Sequence, residues 1–307
     1  MDHFDKAAFM VLCGLPALGR SMAEIVFSDR PRSITSYLNP VAMVRNLYAH
    51  KDLAWQFARR DIEAKYKSQR LGIVWSVLTP LLLLSVYTFV FAVIFPNKWN
   101  RAVETERLGS FALSMFIGLL VFGLFRDMTA RASTVIVSHS NYVKKMVFPL
   151  EVFALSEIII ALVTLAIGAT VWLVGWVAIE QRPPEPAILL APLFLIPVCL
   201  ASLGLSWILS ALGVFLRDIA NVVELCLAVM FFISPIFFSM EHVPEHLRGV
   251  LVFNPIAQVI EGIRSLAMQG TIPDLAWYFA SLLTSAALAV IGYAFFMKSK
   301  RAFADVI

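Results

Sequence analysis

The sequence predicts an all-α integral membrane protein with six transmembrane helices, and three observations carry that reading. Of 307 residues, 60% are hydrophobic and only 15% are charged, against about 25% charged in an ordinary soluble domain. The mean hydropathy is +0.80, and the apolar residues are gathered into long runs. The Lys and Arg residues fall mostly in alternate segments between those runs. A soluble fold of this length could not hide so much apolar surface, whereas a bilayer accepts apolar side chains that face outward.

The spans follow in order. Gly72–Phe95, Leu108–Phe125, Ile158–Ile179, Ala187–Leu216 and Leu275–Met297 contain no charged side chain. Each reaches the roughly 17–25 residues that cross a hydrocarbon core. Ile219–Met240 is interrupted only by Glu224 and makes the sixth. Pro192 and Pro197 lie in the run Ala187–Leu216, so a kink or a short interfacial piece is expected there.

Orientation follows from the cations. All but six of the 25 Lys and Arg residues sit on one side of this arrangement, the exceptions being Lys98, Arg101, Arg107, Arg182, Arg248 and Arg264. The rich side is expected to be cytoplasmic, which puts both termini there and agrees with an even number of spans.

Three stretches are not spans. In Lys51–Arg70, Leu53, Ala54, Phe57, Ala58, Ile62 and Tyr66 share one helical stripe, while Gln56, Arg59, Arg60, Glu63, Lys67 and Arg70 share the other. That pattern predicts a basic amphipathic helix lying in the interface. Arg126–Pro149 is too polar to cross and too long for a simple turn. It is read as a cytoplasmic loop suited to docking a partner protein. In Glu241–Pro273, the apolar segment Val250–Ile260 is too short to span and is broken at Asn254-Pro255. It reads as a re-entrant hairpin of half-helices between the fifth and sixth spans.

The chain divides into residues 1–44, an N-terminal arm with no assigned role, 45–71, the interface helix, and 72–307, the transmembrane domain. Residues 1–40 match no cleavable signal, because Ala7–Gly19 is short and follows Asp2 and Asp5.

The chemistry is spare. No Gly-Lys dipeptide occurs, so the chain has no phosphate-binding loop of the kind that needs one. His242 and His246 lie four apart, but Pro244 between them opposes a helical metal site. No metal is expected. Glu224 is seven residues, about 10 Å along a helix, from Arg217 and is expected to reach the interface or pair there. Cys13, Cys199 and Cys226 have no ligand or redox spacing and read as small buried hydrophobes. Tyr87, Phe91 and Phe95 recur at helical spacing in the first span, and Phe231, Phe232, Phe237 and Phe238 crowd the fifth.

Arg60-Asp61-Ile62, Lys65-Tyr66-Lys67 and Leu71-Gly72-Ile73-Val74-Trp75 with Pro80 resemble the approach to the first span of ABC-2 type permeases that export O-antigen, teichoic acid and capsular polysaccharide. Phe215-Leu216-Arg217-Asp218-Ile219 is similar to the family's turn before the fifth span. Ser234-Pro235-Ile236-Phe237, Val243-Pro244, Asn254-Pro255 and Glu261-Gly262-Ile263-Arg264 resemble its outer hairpin, and Phe303–Ile307 its tail. Together these cover roughly residues 45–307.

The resemblance implies a homodimer with two copies of a cytoplasmic ATPase in a bacterial inner membrane. ATP and Mg would be bound by the partner, with no cofactor in this chain. It implies a coupling helix within Arg126–Pro149, with Arg131, Ser138, Asn141, Tyr142, Lys144 and Lys145 as candidates, and an outer hairpin marked by Asn254, Pro255 and Arg264. The expected cargo is a polyprenyl-diphosphate-linked polysaccharide. Arg59, Arg60, Lys65, Lys67 and Arg70 would receive the diphosphate, and Tyr87, Phe91, Phe231 and Phe232 would line the path. The chain itself is expected not to be an enzyme. The alternatives are an ABC-2 permease for a drug or lipid, or a membrane glycosyl- or acyltransferase, which would want paired carboxylates or a His-Asp constellation.

Overall fold

Asn39 begins the first helix by accepting hydrogen bonds from the backbone of Val41 (3.0 Å) and Ala42 (3.3 Å), with Pro40 at the first helical position, where its missing N–H is harmless. The computed structural model describes residues 37–67, 74–94, 108–143, 148–216, 218–238, 240, 243–244 and 254–306. Among them every regular element is helical and there is no strand.

Helix α1 is Pro40–Ala49 and α2 is Lys51–Lys67, with a turn at His50 between them. Helix α3, Val74–Thr88, runs on as a wider π turn, Phe89–Ile94. Then come α4, Leu108–Ser138, α5, Ser140–Val143, and α6, Val152–Glu180. A 3-10 turn at Pro186–Leu190 and a short α7, Ala191–Phe194, lead into α8, Ile196–Phe215. Helix α9 is Ile219–Ile233, α10 is Pro255–Arg264 with a π turn Ser265–Gln269, α11 is Leu275–Ser299 and α12 is Phe303–Val306.

Among the described residues, four stretches are long and apolar enough to cross a membrane: Leu108–Ser138, Val152–Glu180, Pro186–Phe215 and Leu275–Val306. Of the other two expected spans, the first is helical over its described residues, α3 and the π turn after it, while α9 has 15 residues, about 22 Å at the helical rise, and ends at Ile233, short of the expected Met240, where Ser234 is extended ahead of Pro235. The expected break in the fourth span is present: the chain turns at Leu195, between α7 and α8, with Pro197 in the first turn of α8.

Two further boundaries differ from expectation. The second span was expected to end at Phe125 and give way to a loop, but α4 continues unbroken to Ser138, 31 residues in all. Its polar residues share the helix with a buried stripe, Met128, Ala132, Val135 and Ile136, whose helical spacing holds the last turns down. The third span was expected from Ile158, but α6 begins at Val152 because Glu157 is buried against Arg131 of α4 at 3.4 Å. The cysteines also differ: Cys199 is half-buried and Cys226 is exposed on α9, since a helix that faces lipid or a partner need not bury its apolar side chains in its own chain.

Helix α4 is the centre, packed against α3, α6, α8, α9 and α10, while α8 and α11 form the most extensive pair. Glycine makes that pair close. A Cβ on Gly204 would lie 2.5 Å from the Leu288 carbonyl oxygen, and one on Gly292 would strike the backbone of Gly204. Gly213 of α8 likewise abuts the Ser133 carbonyl of α4. Small residues let backbones approach where no water-driven force holds helices together. Trp172 of α6 donates to the Leu113 carbonyl of α4 at 3.0 Å, which satisfies a buried indole.

Candidate functional site

The expected amphipathic helix is present as α2, and its apolar stripe packs on the protein. Ala54, Phe57 and Ala58 are buried, and α2 packs against α6. The cations stay outward. Glu63 sits between Arg59 (3.0 Å) and Lys67 (2.9 Å) in one i, i+4 row. Hydrogen bonds from Lys67 and then Arg59 hold its carboxyl below the ordinary range. Arg60 pairs with Asp61 at 3.2 Å. Its partial burial opposes the charge, but hydrogen bonds to Tyr142 and Asp61 raise its pKa on balance. Arg70 lies outside the described residues.

Phe57 is the point where α2 joins the segment after α4. Its ring packs edge-on against Tyr142 (5.4 Å between centroids), Phe148 (5.7 Å) and Phe153 (5.3 Å). Tyr142 and Phe148 touch at 4.8 Å, and His139 lies 4.6 Å from Phe153. Arg60 covers the Phe57 ring at 4.9 Å. Of the coupling candidates, Tyr142 is in this cluster and Asn141 is exposed on α5. Ser138 donates to the Val135 carbonyl at 3.0 Å and ends α4. Arg131 belongs to the Glu157 pair further up α4. Lys144 and Lys145 lie outside the described residues. His139 and Phe153 escaped sequence reasoning, although both sit at helix ends beside the aromatic run.

A cavity of about 610 Å³ opens between α3, α4, α6 and α9. Tyr87, Phe231 and Phe232 line it, together with Phe116 and Phe122. Tyr87 and Phe231 are 5.8 Å apart and Phe122 and Phe231 are 5.2 Å apart, so aromatic faces of three helices meet there. The side chain of Phe91 lies outside the described residues. Lys65, Arg126, Asp127 and Glu224 border the same cavity, with Asp127 in the electrostatic field of Lys65, Arg131 and Arg126. Glu224 finds its cation, but in Arg126, at a loose 4.0 Å with both side chains more than half exposed. Of the predicted basic cluster, Lys65 borders the cavity and Arg59, Arg60 and Lys67 do not.

At the opposite end, Asn254 caps α10 through the Ile256 amide (3.0 Å), and Pro255 starts that helix. Arg264 reaches back to the carbonyls that follow α9, at Pro235 (3.0 Å), Ile236 (3.2 Å) and Phe238 (3.4 Å), and pairs with Glu261 (3.1 Å). These carbonyls lie past the end of α9, outside any helical ladder, and the guanidinium gives them donors. Helix α10 buries Ile256, Val259, Ile260 and Ile263. His242 and His246 lie outside the described residues.

A polar junction was missed altogether. Glu151, almost fully buried ahead of α6, accepts from Asn46 of α1 (3.0 Å) and from Lys300 past the end of α11 (2.7 Å). Asn46 also donates to the Tyr293 hydroxyl (2.8 Å), and Trp207 of α8 donates to the Glu151 carbonyl (3.3 Å). Burial pushes the Glu151 carboxyl up, but Lys300 and Asn46 outweigh it and hold it below its ordinary value.

Long apolar helices packed through glycine, with a large aromatic cavity between them, define a multi-pass membrane protein. Residues 53–268 match the ABC-2 type transporter family, and the chain belongs to that family. It is 28% identical over 269 residues to the O-antigen export system permease protein RfbA of Klebsiella pneumoniae, covering 87% of this chain and 99% of the relative. Similarity to the O-antigen export system permease protein RfbA of Myxococcus xanthus is 25%, covering 87% and 100%. The polysialic acid transport protein KpsM of Escherichia coli is 24% identical, covering 70% and 81%.

Proposed function

We propose that this chain is the permease subunit of an ABC exporter that moves a polyprenyl-diphosphate-linked polysaccharide out of the cytoplasm, powered by a separate ATPase. The observation that carries the reading is the cavity between α3, α4, α6 and α9, where an aromatic wall adjoins Lys65 and Arg126. Aromatic faces hold the C–H faces of sugars without fixing them by directed hydrogen bonds, and cations at one end suit a diphosphate. Arg126 is only loosely held by Glu224 and is free to exchange that carboxylate for phosphate oxygens. The names of the relatives point the same way, two to O-antigen and one to polysialic acid.

In this reading α3 and α9 complete six spans, two copies of the chain face each other, and both termini lie on the cytoplasmic side of a bacterial inner membrane. Residues 45–71 lie in the interface, 72–307 form the permease, and residues 254–273 are half of an outer re-entrant hairpin. Two ATPase copies bind ATP and Mg and press on the segment 138–149, and the Phe57 cluster passes that movement to α2. The test is surface polysaccharide in a strain lacking the chain, complemented with wild type or with Tyr87, Phe231 and Phe232 all changed to Ala. Loss of surface glycan with the complex still assembled supports the reading, and wild-type export by the triple variant sinks it.

A further inference from the structure

A second cavity, of about 220 Å³, lies at the end of the molecule away from α1 and α2, between α7, α8, α10 and α11. It is separate from the large cavity. Phe194, Trp277 and Tyr278 supply aromatic surface, and Glu261 and Asp274 supply carboxylates. Phe194 and Tyr278 are 4.7 Å apart, and the Tyr278 hydroxyl is anchored on the Leu193 carbonyl at 3.1 Å, so this wall is held in place. Asp274 Oδ1 accepts from the Ala276 amide (2.9 Å), and Glu261 Oε1 accepts from the Met240 amide (3.0 Å) and Arg264 (3.1 Å). Each carboxylate keeps its other oxygen without a hydrogen-bond partner among the described residues.

We infer that this cavity is a monosaccharide subsite, one pyranose ring stacked on Trp277 with its hydroxyls shared between Asp274 and Glu261. The choice of a sugar rests on the export reading above. The chemistry is that of neutral-sugar recognition: a large aromatic face for the C–H face and acceptors around it for the hydroxyls. The volume is about seven waters, room for one ring and not for a chain. Placed beyond the large cavity, such a subsite would hold an emerging glycan unit and oppose its return.

The test is saturation-transfer NMR on the full chain with its partner ATPase in nanodiscs, using free hexoses, 6-deoxyhexoses, N-acetylhexosamines and ethanolamine as probes. At least one sugar class is expected to receive saturation from wild type. That signal should fall at least fivefold in Trp277→Ala and weaken in Asp274→Asn, while Lys65→Glu at the other cavity leaves it unchanged. Trp277 is 47% exposed, so its truncation spares the core. Equal sugar signals in wild type and Trp277→Ala overturn the subsite, and so does binding confined to ethanolamine, which would make it a cation cage. Sugar binding lost in Trp277→Ala, together with unchanged surface glycan in the deletion strain, upholds the subsite and removes the export reading.

Discussion

Lys300 Nζ lies 2.7 Å from Glu151 Oε2 across 149 residues of sequence, and that pair ties the turn after α11 to the start of α6. The two partners are not equally buried: the Glu151 side chain is 5% exposed and that of Lys300 is 26%. Lys300→Ala therefore strands a buried carboxylate and is expected to cost about 3 kcal/mol, the low end for breaking a buried pair. Glu151→Gln keeps an acceptor for Asn46 and lets Lys300 turn to water, so it should cost less. Thermal unfolding in detergent, read for both variants, checks the order; equal or reversed costs would show that a stranded Glu151 carboxylate is not the costly state.

The same pair gives a pH dependence of known sign. The folded pKa of Glu151 is depressed. Its stabilising contribution is complete above the ordinary glutamate value of about 4.3 and is lost as pH falls through the depressed value. Wild type should lose stability on acidification below that range faster than Glu151→Gln, as measured by unfolding temperature across an acid series.

Glycines give a prediction with an internal control. Gly292→Ala puts a methyl into the Gly204 backbone, whereas a Cβ on Gly123 would meet nothing within 4 Å. Overpacking costs typically about 1–3 kcal/mol and more where only backbone can yield. Gly292→Ala should lower the yield of folded protein and its unfolding temperature, and Gly123→Ala should change neither.

The long spans were legible because lipid leaves a compositional mark that needs no partner: α6 and α11 announce themselves by apolar length alone. The buried side of α2 was legible because Ala54, Phe57 and Ala58 recur at helical spacing. The lower half of α4 was not, since Arg126, Asp127 and Arg131 interrupt hydropathy while the stripe Met128, Ala132, Val135 and Ile136 continues beneath them. The Glu151 junction was invisible for another reason. Asn46, Glu151, Tyr293 and Lys300 are unremarkable one by one, and only the tertiary fold makes them neighbours. Sequence also merged Arg59, Arg60, Lys65 and Lys67 into one basic cluster. The helix separates them, with Arg59 and Lys67 in the row of Glu63 and Lys65 off it.

The Phe57 cluster predicts where motion passes between α2 and the segment after α4. Phe57 is 8% exposed and touches Tyr142, Phe148 and Phe153 at once. Phe57→Ala should uncouple ATP hydrolysis from export, leaving ATPase turnover in the purified complex but lowering surface glycan at least tenfold. Phe57→Leu, which refills most of the space, should recover much of it. Trp55, 54% exposed on the same helix, is the control, and an equal loss in Trp55→Ala would point to the helix as a whole and not to the cluster.

The division of the basic residues makes the sharpest test of the loading step. Arg59 and Lys67 are spent on Glu63, with side chains 70% and 77% exposed, and exposed pairs of this kind contribute about 0–1 kcal/mol. Lys65 and Arg126 border the large cavity, where a diphosphate would meet them with less water to screen the charge. Lys65→Glu and Arg126→Glu should each lower export and substrate-stimulated ATPase activity at least tenfold. Arg59→Glu and Lys67→Glu should lower them less than threefold, an effect that added salt reduces further because a general surface field is screened. Uniform losses across all four would return the role to the net charge of α2, and the cavity would then have no part in recognising the phosphate end of the cargo.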